Sequence, residues 1–321
     1  MRRHAASPGL SRAATLLLAA TVIAPTRANS IAALASLGEN EDTSDSGQNV
    51  KPFCVATNPS SGRALHQFLL VSDYSGVSYF DVDPWQSEPI TDVGRKTPLI
   101  VGSQFVPGGY ADAVAACCNQ LYVAVNPPAS EGTNSAEGGR KGCASSTPRV
   151  LQFGYVVEET TAASGSRRPT ARLSVLDQNP KTVFAGRRIL DLSCSSSSGD
   201  LFVAFEENAA DGTIHQYSGA DLSKLSLQEL STVEPLKPFE RKPVRGMPRA
   251  VSTDDMNLFY AQDESGGKTE IQKLLVKDAA HQRSLIHTVQ KQAVSAVCSD
   301  AKHILYVAEH CAAGSEDTVS G

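Results

Sequence analysis

The chain reads as an all-β protein, a β-propeller built from repeated four-stranded units. Three observations predict it. Four strands carry nearly the same residues: Leu121-Tyr-Val-Ala124, Leu201-Phe-Val-Ala204, Leu258-Phe-Tyr-Ala261 and Leu305-Tyr-Val-Ala308, with Leu69-Leu-Val-Ser72 as a looser fifth copy. Each is flanked on both sides by further strand-like runs and turn residues. The composition, 41% hydrophobic and only 6% aromatic, suits many short strands joined by turns better than a helical bundle.

The leading leucines of the five copies lie 52, 80, 57 and 47 residues apart. The interval of 80 holds two polar stretches, Pro127 to Lys141 and Glu158 to Thr170. With about 28 residues of loop removed, it falls in line with the roughly 40–50-residue periods of propeller blades. Both stretches are expected to be mobile loop insertions within one blade, because they lack apolar residues to bury.

Before each core strand comes an apolar run ending in a turn: Ala113–Cys118, Ile189–Cys194, Met247–Val251 and Ala293–Cys298. After it comes a third strand, Val77–Val82, Arg149–Phe153, Thr213–Tyr217 or Glu270–Leu275. Each unit is thus a meander of at least three antiparallel strands with a more variable fourth. A lone meander cannot bury both faces, whereas radially stacked blades form a continuous core and protect their edges, which a β-sandwich or β-helix reading does not explain as directly.

The third strands Glu270-Ile-Gln-Lys-Leu274, Arg149-Val-Leu-Gln-Phe153 and Thr213-Ile-His-Gln-Tyr217 resemble one strand of NHL-type repeats. The preceding Leu-Tyr-Val-Ala strand resembles the other half of that repeat, also seen in SMP-30/gluconolactonase-like and YVTN-type propellers. The resemblance covers residues 50–320, and the Asn-His-Leu signature is absent. It implies a ring of about six blades. Five repeat units are visible and the last is incomplete, so either the strand Phe53-Cys-Val-Ala56 helps to close the ring or the sequence is truncated at its C-terminus.

Residues 1–28 have the form of a signal peptide: Arg2, Arg3 and Arg12, then the apolar run Ala13–Ala24, then a small-residue site ending at Ala28. Residues 29–50 read as a flexible acidic leader and 51–321 as the propeller domain. No later stretch approaches the ~18 apolar residues of a membrane helix. The expected location is outside the cell or in the secretory-pathway lumen. Removing residues 1–28 takes away four arginines and no acids, leaving 25 basic against 34 acidic residues, a net −9 compared with −5 for the whole chain. That balance argues against nucleic acid as a partner. The one basic run, Lys237, Arg241, Lys242, Arg245 and Arg249, is interrupted by prolines and reads as a solvated connector.

Seven cysteines in an exported chain permit disulfides and leave at least one unpaired within the chain. Cys118, Cys194 and Cys298 are expected to end equivalent strands, as small buried side chains, with Cys54 a further candidate for the same place. Cys117, Cys143 and Cys311 stand outside that pattern, and Cys143 has a flexible approach to Cys117 or Cys118. His303, His310 and Cys311 do not make a metal site, since residues seven apart on a strand face opposite ways. Asp254, Asp255 and Asp300 lie in hairpin turns that favour aspartate for backbone hydrogen bonding.

These readings yield no catalytic, cofactor-binding or metal-binding residue and no cofactor. The expected function is a noncatalytic module that binds a protein or glycan across one face. The alternative is an SMP-30/gluconolactonase-like metal-dependent hydrolase. Against it, Arg249 stands where that resemblance places an asparagine ligand, and Ala293–Ala296 offers only Ser295 as a side-chain oxygen.

Overall fold

The computed structural model describes residues 49–55, 66–73, 76–82, 96–101, 110–127, 147–160, 170–176, 180–208, 210–227, 238, 240–264, 268–277, 282–290, 292–299 and 305–311. They form nineteen strands and one helix. The first sheet runs β1 (Asn49–Val55), β2 (His66–Asp73), β3 (Gly76–Val82) and β4 (Thr97–Val101) in sequence order. The second runs β5 (Tyr110–Cys117), β6 (Gln120–Asn126) and β7 (Arg149–Thr160), then β8 (Thr170–Val175) and β9 (Lys181–Ala185), both paired to β7.

The third sheet is β10 (Ile189–Cys194), β11 (Leu201–Glu206), β12 (Gly212–Tyr217) and β13 (Glu240–Pro243), with helix α1 (Gly219–Leu227) between its last two strands. The fourth is β14 (Met247–Thr253), β15 (Asn257–Glu264), β16 (Lys268–Leu275) and β17 (Arg283–Gln290). β18 (Gln292–Ser299) and β19 (Leu305–Cys311) pair as a two-stranded fifth sheet.

First strands pack side by side in chain order, β1 on β5, β5 on β10, β10 on β14 and β14 on β18. That is the radial arrangement of blades, with the first strand of each nearest the axis. The predicted core strands are the second strands of the sheets. Leu121, Val123, Leu201, Phe202, Val203, Leu258 and Tyr260 are all buried, shared among cores that fill the spaces between neighbouring sheets. Phe53 belongs to β1, which pairs with β2 as the inner strand of the first blade. β1 begins at Asn49, so the last two residues of the predicted leader belong to that strand. Residues 1–28, most of the leader and the insertion from residue 128 to 141 lie outside the described residues.

The repeat has a structural reason. In the second to fifth sheets the inner strand carries a β-bulge, and the residue just after it faces the alanine that ends the Leu-x-x-Ala strand. The pairs are Ala113 with Ala124, Asp191 with Ala204, Ala250 with Ala261 and Ala296 with Ala308. A bulge sets two residues opposite one and sharpens the twist. The added twist suits radial packing.

The strand register corrects the cysteine alignment. Cys117 ends β5, whereas Cys118 lies in the following turn in the left-handed region at φ 51°. Cys194 pairs with the leading leucine of its blade and Cys298 with the aromatic after it, so the three are not equivalent. All three inner strands carry the same bulge; what differs is the length of chain between the bulge and each cysteine, longest for Cys118 and shortest for Cys298.

Two further expectations are corrected. Residues 240–243 are the outer strand of the third blade, and Lys242 is fully buried rather than solvated. Its ammonium donates to the Val276 carbonyl at 2.8 Å and pairs with Glu240. Glu158 to Thr160 and Thr170 are strand residues, because β7 runs on beyond its blade and pairs with β8 as a hairpin arm.

Candidate binding face

Strand direction sorts the connections onto two faces. The β5–β6, β10–β11 and β14–β15 turns share one face. There β12 ends and leads into α1, because Tyr217 pairs with Leu201. The β7–β8 arm rises on the same face, starting where Tyr155 donates its amide to the Asn119 carbonyl at 3.1 Å. The two elements that depart from the plain blade pattern therefore stand together.

The arm leans across the first blade. The Leu173 amide donates to the Tyr79 hydroxyl at 3.2 Å and the Ala171 amide to the Asp81 carboxylate at 3.4 Å. Tyr155 and Leu173 join Tyr79 and Ile100 in one buried cluster, so an apolar contact holds the arm over its neighbour.

Helix α1 is held by the third blade's own turn. Asp200 accepts the Gly219 amide at 2.8 Å and the Gln216 side-chain amide at 2.8 Å, which satisfies a donor at the helix start. Leu222 and Leu225 face the core beside Tyr217. Gly219 lies so close to the Ser198 carbonyl that a Cβ would overlap it, so this contact requires glycine.

Three turns are knitted across blade boundaries. Asp255, in the β14–β15 turn, accepts from the Ser195 hydroxyl at 2.7 Å, the Ser196 hydroxyl at 3.2 Å and the Ser197 amide at 3.3 Å, all in the β10–β11 turn. On the other side of that turn, the exposed Cys118 thiol lies 3.7 Å from the Ser196 carbonyl. Cys117 and Cys194, 77 residues apart, join the second and third blades by a disulfide.

Among the described residues the non-glycine positions with positive φ are Cys118, Asn119 and Asp255, all in these turns. Such conformations are costly for residues with a Cβ and gather at sites where surrounding structure fixes them. Exposed Met256, Ser196, Ser197 and Ser198 lie beside them. Burial, and then the neighbouring Cys118 sulfur, push the Tyr155 phenol up to about 12, which keeps it neutral under the turn.

Asp254 behaves as the sequence predicts, accepting the Met256 and Asn257 amides at 3.1 and 2.6 Å. Asp255 does not. It serves the neighbouring blade, and no signal within its own turn distinguishes the two aspartates. Asp300 and His303 lie outside the described residues. His310 lies on β19, paired with Ala293. Arg249 and Ser295 are both bulge residues of inner strands. The Arg249 guanidinium pairs with Asp263 at 2.6 Å, near the opposite face.

Four-stranded sheets set radially around their first strands define a β-propeller, with four complete blades and the β18–β19 pair among the described residues. No family model matches the chain, and no curated protein is significantly similar to it. Among the described residues no helix is long and apolar enough to cross a membrane.

Proposed function

We propose that this is an exported, noncatalytic β-propeller that binds a protein or glycan ligand on the face bearing the β7–β8 arm, α1 and the three knitted turns. The observation that carries the reading is the clustering of the arm, the helix and all three strained non-glycine turn residues on this one face. A rigid blade scaffold with irregular elements grouped at one end is a common way to present a recognition surface. The Cys117–Cys194 bridge and the signal-like N-terminus support an oxidising destination. The strands similar to NHL-type repeats favour the same class of module.

The test uses the mature chain against two probes, an oligosaccharide array and a displayed random-peptide library. The wild-type chain should enrich a defined set in one of them. Asp255→Ala should lose it, while Arg187→Ala, at the opposite end of the third blade, should keep it. Metal-dependent hydrolysis of lactones by the same chain, with no enriched ligand, would overturn the reading in favour of a hydrolase.

A further inference from the structure

We infer that Cys117, Cys118 and Cys194 form a three-sulfur exchange set, in which the bridge between the second and third blades alternates between Cys117–Cys194 and Cys118–Cys194. Two consecutive cysteines present their sulfurs to one turn. Cys117 is bonded to Cys194, and the Cys118 sulfur rests against Ser196, two residues further on. A Cβ on Gly199 would touch the same Cys118 sulfur at 3.5 Å, so the thiol sits over the turn that leaves Cys194. Cys118 is also solvent-exposed, which gives it the access that exchange needs.

The step balances without an outside reagent. The Cys118 thiol loses its proton, and its thiolate attacks the Cys194 Sγ. A new sulfur–sulfur bond forms as the Cys117–Cys194 bond breaks. The electron pair leaves on the Cys117 Sγ, which takes up a proton. Cys117 is buried in the core that also holds Ala113, Ala115 and Tyr122, a setting that suits a free thiol acting as a small apolar side chain. Exchange thus swaps an exposed thiol for a buried one. It also ties the left-handed Cys118–Asn119 turn covalently to the third blade, on the face described above. Sulfur pairing alone decides the matter, whatever that face binds.

The experiment holds the full mature chain at about pH 8 for hours and then acidifies it to about pH 3, where the loss of thiolate stops exchange. The protein is denatured and alkylated, and the peptide carrying Cys117 and Cys118 is fragmented between the two. Alkyl label divided between Cys117 and Cys118 is the expected result. Label confined to Cys118, or Cys118 found bridged to Cys143, overturns the proposal. A Cys117→Ser chain gives a second readout. It should form a Cys118–Cys194 bridge, and finding both of those cysteines as free thiols overturns the proposal equally.

Discussion

Asp191, on the inner strand of the third blade, accepts the Val251 amide of the fourth at 2.7 Å. Its other carboxylate oxygen accepts the Leu192 amide at 2.8 Å, and the side chain is buried. Val251 belongs to an inner strand with no sheet partner on its axial side, so its amide needs an acceptor from elsewhere. The bulge in β10 delivers Asp191 to that place. Asp191→Ala leaves buried donors unmatched and should cost about 2–4 kcal/mol by urea denaturation. Asp191→Asn, which keeps one acceptor oxygen, should cost less. Equal losses for the two variants would show that the carboxylate does not join the blades.

The second and third blades use a different clasp. Asn126 donates to the Ile189 carbonyl at 2.7 Å and accepts the Ile189 amide at 3.0 Å, while its side-chain amide also meets Asp112. Burial raises the Asp112 carboxyl above the usual range, opposed by the Asn126 hydrogen bond and the charge of Arg188. Asn126→Leu breaks both hydrogen bonds to Ile189 and should lower stability by about 2–3 kcal/mol. Hydrogen exchange should quicken first in β10, at the start of the third blade. Uniform quickening across all blades would contradict a local clasp.

Lys242 closes the outer end of the third and fourth blades through the Val276 carbonyl. Lys242→Ala opens a void and leaves Glu240 without this partner, so it should cost about 3–5 kcal/mol. Lys242→Met keeps the packing and should recover part of that loss, as read from denaturant midpoints. A Met variant as unstable as the Ala variant would mean that the charge matters more than the packing.

His215 gives the protein an acid-sensitive point. Its ring is buried among Phe184, Phe205 and Tyr217, and neither ring nitrogen has a hydrogen-bond partner among the described residues. Burial, with the charges of Arg241 and Arg187 added, lowers its pKa to about 4, against 6.5 for the free side chain. The unfolded chain therefore binds a proton that the folded one refuses. The histidine's contribution to stability is fully present above about pH 6.5 and is lost as pH falls from there toward 4. On the order of 2–3 kcal/mol should disappear over that window. His215→Phe should flatten this part of the pH–stability curve. Parallel curves for the two proteins would rule out His215 as the cause.

The sequence located the second strand of every blade, though each runs on past the four predicted residues, because Leu121, Leu201 and Leu258 are buried in the same register. The alanine of each Leu-x-x-Ala strand was legible as a repeat, but not as the partner of a bulge. Strand pattern alone does not show how many residues separate the bulge from the following turn, and Cys118 was misplaced for that reason. Lys242 and the β7 extension were missed for a different cause. Their burial depends on partners far away in the chain, Val276 for the lysine and Tyr79 for the arm. Helix α1 is short, and Leu222 and Leu225 acquire a core only once Tyr217 is in place. The contacts of Asp255 with Ser195 and Ser196 likewise exist only between blades. The candidate face is therefore a product of the fold, and local sequence shows just the turns from which it is built.

The central claim, that ligand binds on the face of the arm, α1 and the three turns, is tested most directly by hydrogen exchange with and without whichever oligosaccharide or peptide the mature chain enriches. Protection is predicted at residues 118–119, 195–200 and 254–256 and along α1, with no change at 206–212 or 245–249 on the opposite face. Protection confined to the opposite face would contradict the account.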